Sequence, residues 1–204
     1  MADDYVLDLA STEGAAHAHR RRASAGDRIG LSGYTVGDFW EWAFGDLVTN
    51  TVRSVFAEYL VALALGVSDQ PRVEWDQYDL LYRGVGIEVK AVGRVQAWTA
   101  PARVGIPRFD IAAKRGWDAA TNTSSATAGR SAAAWVFGEC TSTVASSTLV
   151  ANPDNWRFHV ASTFWLNEHR PTQKSISISQ LARLIPPVSF SELRAAVDDT
   201  IDRP

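Results

Sequence analysis

One cysteine, Cys140, in 204 residues excludes an internal disulfide framework and a zinc site built on cysteine pairs. Four histidines add nothing to a metal reading: His17, His19, His159 and His169 show no ligand spacing, and His159 reads as a core residue on a strand. No apolar run approaches the ~20 residues of a membrane helix, the longest being residues 59–67. Asp3 and Asp4 stand where a signal peptide would carry an apolar core, so a cytoplasmic protein with no membrane partner is expected. Basic charge is not in excess. Twenty Lys and Arg face 23 Asp and Glu, a net charge of −3, so a polyanion could be held only by a local patch. The chain has no Gly-x-Ser-x-Gly elbow and no phosphate-cradling glycine loop, which excludes the hydrolases and nucleotide-binding proteins built on them. It also has no internal repeat.

What is present suits a packed core: 46% hydrophobic residues, with eight Trp and eight Phe among them. Residues 1–28 are rich in Ala, Ser and Gly, include the run Arg20, Arg21, Arg22, and read as a loosely attached leader. Residues 29–204 read as a single domain. Asp38 is placed to cap a helix over FWEWAF. A second helix is expected over 47–67, with Val52, Val55, Phe56, Tyr59, Leu60 and Leu63 at helical spacing and Gly66 ending it. YDLLY and IEVKAV then form a hairpin around RGVG, residues 83–86. Beyond it, the pattern predicts a short helix over 109–117 and a polar loop over 121–131. Strands follow over 132–140 and 157–162, then a helix headed by Ser179 and a Ser189/Glu192 capping box before LRAAV. The order defines a mixed α/β domain.

Chemistry concentrates in the hairpin. If Tyr82 lies opposite Ile87 across a four-residue turn, Asp79 lies opposite Lys90, and alternation brings Asp79, Glu88 and Lys90 to one face. A one-residue slip would reverse that grouping. Two carboxylates beside a lysine suit Mg²⁺, a hard cation that takes oxygen ligands, and the backbone carbonyl of Val89 could add a third. Glu74 and Asp76 compete with Asp79 for the role. On the second helix, Glu58 has only Ser54, Val55, Val61 and Ala62 at three and four positions, none of them charged. It needs a partner from elsewhere, a structural Arg, the metal or Lys90.

A helical Glu58, then Asp79, then Glu88-Val89-Lys90 on the next strand resembles the PD-(D/E)xK nuclease superfamily over residues 47–98. Tyr78 stands where that motif carries Pro. The resemblance implies a restriction-endonuclease-like fold, a mixed central β-sheet flanked by helices. It further implies a Mg²⁺-dependent endonuclease of the restriction or defence kind, with Mn²⁺ as a substitute. Glu58, Asp79, Glu88 and the Val89 carbonyl would hold the metal, Lys90 would assist the attacking water, and Gln96 would be an additional catalytic residue. The partners implied are duplex DNA and a second copy of the chain in a homodimer. The alternative is a nuclease fold with a lapsed site, serving as a nucleic-acid-binding or protein-interaction module.

The charge pattern agrees with a polyanionic substrate. Between residues 83 and 117, Arg83, Lys90, Arg94, Arg103, Arg108, Lys114 and Arg115 face only Glu88 and Asp110, a local balance of +5 in a chain of −3. Trp98 and Trp117 lie among them. Both read first as core aromatics, with base stacking as the second role.

Overall fold

A computed structural model describes residues 22–69, 72–74, 77–97, 106–118 and 123–203. His17, His19, Arg20, Arg21, Asp76, Trp98 and Arg103 lie outside the described residues.

Helix α1 spans Val36–Phe44. Its N-cap is Thr35, not Asp38. The Thr35 hydroxyl accepts the Asp38 N–H, and the Asp38 carboxylate accepts the Thr35 N–H at 2.7 Å. The carboxylate therefore serves from the first turn, where the helix dipole also favours it. Helix α2, Asn50–Leu65, follows the expected apolar spacing and ends at Gly66, whose φ of 75° is the left-handed cap a side chain would strain.

Strands β1 (Leu80–Tyr82) and β2 (Val85–Gly93) form the expected hairpin, but with a tighter turn. Leu80 faces Ile87 and Tyr82 faces Val85, so the turn is Arg83–Gly84 alone. Both residues have positive φ, 50° and 79°, as the two-residue turn that matches strand twist requires. The register differs from the expected one by two residues. A slip of two leaves every side chain on its original face, where a slip of one would not.

The short helix expected over 109–117 is absent. Strand β3, Arg108–Asp110, occupies its start, and β4, Trp117–Asp118, its end. Pro107 and the alternation of buried Phe109 and Ile111 with exposed Arg108 and Asp110 have strand period, and packing selects it. β4 pairs with β5, Thr123–Ser124, so the expected polar loop begins as a hairpin arm. Strand β6 (Ala134–Cys140) falls within the expected buried strand 132–140, and β7 (Trp156–Ser162) covers the expected 157–162. Helices α3 (Ser147–Ala151) and α4 (Thr163–His169) flank β7. Strand β8, Ser175–Ser177, leads into α5, Ile178–Leu184, capped by Ser177 with Gln180 rather than by Ser179. The Ser189/Glu192 capping box forms ahead of α6, Leu193–Asp202.

The principal sheet has the order β1-β2-β6-β7, with β2 and β6 parallel and the other pairs antiparallel. It is a mixed sheet with a core on each face. On one face Ile87, Val89, Ala134, Val136, Trp156 and Phe158 pack against Leu60, Val61 and Leu65 of α2 and Leu193 and Val197 of α6. On the other, Val92, Trp135, Phe137 and Ala161 pack against Phe109 and Ile111, Ile176 of β8, Leu166 of α4 and Leu181 of α5. Even-numbered β2 positions belong to this second face, so Glu88 and Lys90 stand beside Trp135 and Phe137 and away from α2. His159 shares it, 1% exposed, with Nδ1 2.7 Å from the Ile185 carbonyl oxygen: the core residue its strand position implied. No helix among the described residues is long and apolar enough to cross a membrane.

Candidate active site

A cleft of about 290 Å³ opens over the second face at the β1 end of the sheet. Asp79, Glu88 and Lys90 line one side, with the Trp135 ring beneath. The opposite wall is the chain around Asp110, Lys114, Arg115, Gly116 and Trp117, closed against Gly129 and Ser131. Lys114 and Gly129 exchange both backbone hydrogen bonds at 2.9 Å, which ties the two arms of that wall together.

Three of the sequence-predicted residues thus meet. The Glu88 and Lys90 side chains form an ion pair and keep only 19% and 25% of their exposure. The Lys90 ammonium also lies 5.8 Å from the centre of the Trp135 ring. Asp79 reaches them differently from the expected face-to-face pairing. Its N–H donates to the Ile87 carbonyl at 3.1 Å, although Ile87 is already matched with Leu80, so the ladder breaks at that point. The Asp79 carboxylate then accepts the next amide, Val89 N–H, at 2.7 Å. It caps the edge of the sheet, level with it, instead of rising from the face with Glu88. The Val89 carbonyl points the same way as its N–H, toward the β1 end and Asp79.

Burial pushes the Glu88 carboxyl above the ordinary carboxylate range, and the charge of Asp79 pushes it further, while Lys90 draws it back. Desolvation pulls Lys90 down, but Glu88, Asp79 and Asp110 together outweigh it and hold the ammonium above its ordinary value. Lys90 is therefore a fixed cation and donor. Two neighbouring carboxylates partly withdrawn from water, one of them paired with a lysine, form a donor set that a divalent cation suits.

Glu58 is held elsewhere. Arg72 clasps it with two hydrogen bonds, Nε to Oε2 at 2.5 Å and Nη2 to Oε1 at 3.3 Å. The partner it needed is thus the structural Arg, not Lys90. Burial raises the Glu58 carboxyl, Arg72 lowers it, and Asp79 raises it again, so Asp79 lies within electrostatic reach of both Glu58 and Glu88. Among the described residues no three of His, Cys, Asp and Glu stand together in a metal-holding group. Gln96 is not brought to the cleft. Its Oε1 accepts from Arg53 Nη2 at 3.0 Å, and its Nε2 donates to the Gly93 carbonyl. Arg53, 2% exposed, also donates to the carbonyls of Val48 and Val95 and to Asn50.

The positive segment divides. Lys90, Lys114 and Arg115 line the cleft, but Arg83 binds Asp198 and Asp202 of α6, and Arg94 binds Glu139. Trp117 is not a core residue. It is 39% exposed and lines the cleft. Asp110, whose carboxylate pairs with Lys114 at 2.6 Å, and Arg72 went unrecognised in the sequence. Neither lies at a spacing that relates it to Glu-x-Lys; only the return of distant loops brings them near.

Compared with protein-family models, with curated protein sequences and with solved structures, the chain matches none.

Proposed function

We propose that this protein is a divalent-metal-dependent phosphodiesterase acting on DNA, with the restriction-endonuclease-like fold and the PD-(D/E)xK arrangement that its sequence resembles. One observation carries the reading: Asp79, Glu88 and Lys90 converge in a single cleft whose facing wall bears Lys114, Arg115 and an exposed Trp117. Carboxylates for a metal, a lysine beside the reacting phosphate and cations for the flanking phosphates are the parts that phosphodiester hydrolysis needs.

Asp79 and Glu88 would hold Mg²⁺, with the Val89 carbonyl directed to the same place. When bound, Mg²⁺ supplies Lewis-acid stabilisation of charge on the phosphate and acidifies bound water. Glu88, now paired with Lys90, would release the ammonium on taking that role, and Lys90 would be placed to donate to the attacking water or to a non-bridging phosphate oxygen. Its raised pKa suits it to orient and neutralise and does not suit it to remove a proton. Glu58 acts through Arg72, whose guanidinium it holds within electrostatic reach of Asp79.

The test is incubation of supercoiled plasmid with the purified chain and Mg²⁺ or Mn²⁺, beside EDTA and the Lys90→Ala and Asp79→Ala variants. Cutting that needs metal and disappears in both variants is expected, of the plasmid at the unpaired tracts that supercoiling opens and of a single-stranded circle incubated beside it. The binding-module alternative draws on the clasp of Glu58 by Arg72, which removes one acid from the metal set. Folded protein that retains DNA and cuts neither duplex, single-stranded nor branched substrates would establish that alternative.

A further inference from the structure

We infer that the cleft accepts a single nucleic-acid strand and stacks an unpaired base on Trp117. The inference rests on the phosphodiesterase reading of the same cleft and adds its substrate class. The reacting groups are recessed: Glu88 and Lys90 are mostly covered and Trp135 beside them is 4% exposed, whereas Lys114 in the same cleft keeps 64% of its side-chain exposure. About 290 Å³ lies at the small end of the range for pockets that take one small molecule. A duplex is a stiff rod with phosphates on its outside, and it meets Lys114 and Arg115 before any phosphate reaches Glu88. A strand free of its complement bends and enters.

Trp117 fits such a strand. The β4–β5 pairing of Trp117 with Ser124 and Asp118 with Thr123 presents the indole on the wall. An indole stacks on any base, so it binds without reading sequence, at about 1–3 kcal/mol per base. Arg115 has no ion-pair partner among the described residues and stands two positions away, available to a phosphate.

The experiment is fluorescence anisotropy of labelled oligothymidine and of a blunt duplex of equal length, with the full chain in EDTA. Tighter binding of the single strand is expected. Trp117→Ala should weaken it about 5- to 150-fold while changing duplex binding little, and Trp117→Phe should retain most of the affinity. Arg115→Ala should lower the slope of log affinity against log salt by about one. Duplex bound as tightly as single strand, or no loss in Trp117→Ala, overturns the inference. Because no turnover is involved, failure of plasmid cleavage and failure of strand preference are separate results.

Discussion

The carboxylate of Asp79 accepts the backbone N–H of Val89, the residue between Glu88 and Lys90, at 2.7 Å. A loop residue thereby completes the strand that carries the motif, and one side chain has both a structural and a chemical role. The two roles are separable by substitution. Asp79→Asn keeps an oxygen for the Val89 amide and should lie within about 0.5 kcal/mol of wild type, whereas Asp79→Ala leaves that amide unpaired and should lose about 1–2 kcal/mol. Both should abolish metal-dependent cleavage. Urea unfolding beside the plasmid assay checks the pair.

Lys90 offsets two carboxylates, and its removal should appear as a pH effect. Burial and Asp79 already raise Glu88, and without the ammonium it rises further. A carboxyl whose folded pKa exceeds its unfolded value binds more protons in the folded state, so its contribution to stability is present at low pH and is lost as pH rises through the folded value. Lys90→Met should therefore be close to wild type at about pH 4.5 and fall progressively behind toward neutrality. Urea midpoints at several pH values decide it. A deficit independent of pH would show that Lys90 contributes packing rather than charge.

Metal binding should be visible without catalysis. A cation held by Asp79 and Glu88 binds the folded state and raises the melting temperature, by about 2.7 kcal/mol of stability at a hundred times its Kd. Thermal melts in Mg²⁺ or Mn²⁺ should shift upward for wild type and remain still for Asp79→Asn and Glu88→Gln. Ca²⁺ separates oxygen-site binding from turnover in the same assay.

The clasp of Glu58 by Arg72 should stabilise the protein despite the partial exposure of Arg72. Arg72→Met leaves a mostly buried carboxylate alone and should lose about 1–2 kcal/mol after allowance for solvent screening. Glu58→Gln added to Arg72→Met should recover part of that loss, since the amide carries no charge to desolvate. Chemical denaturation of the single and double variants measures the coupling.

Strand alternation within IEVKAV, a local property, put Glu88 and Lys90 on one face, and an error of two residues in the turn left them there because the period is two. Helical spacing placed α2 and its Gly66 end, and the Ser189/Glu192 box formed as read. Each of these depends on residues within a turn or two of one another. Tertiary structure alone decided that Asp79 caps the sheet edge, that Arg72 takes Glu58, and that Gln96 goes to Arg53. It likewise made 108–110 a strand against β8 instead of a helix, and left Trp117 on the cleft wall. Those outcomes rest on partners 10 residues away for Asp79, 14 for Glu58 and 43 for Gln96, beyond any helical or strand period, and such a partner leaves no periodic mark on the sequence that meets it.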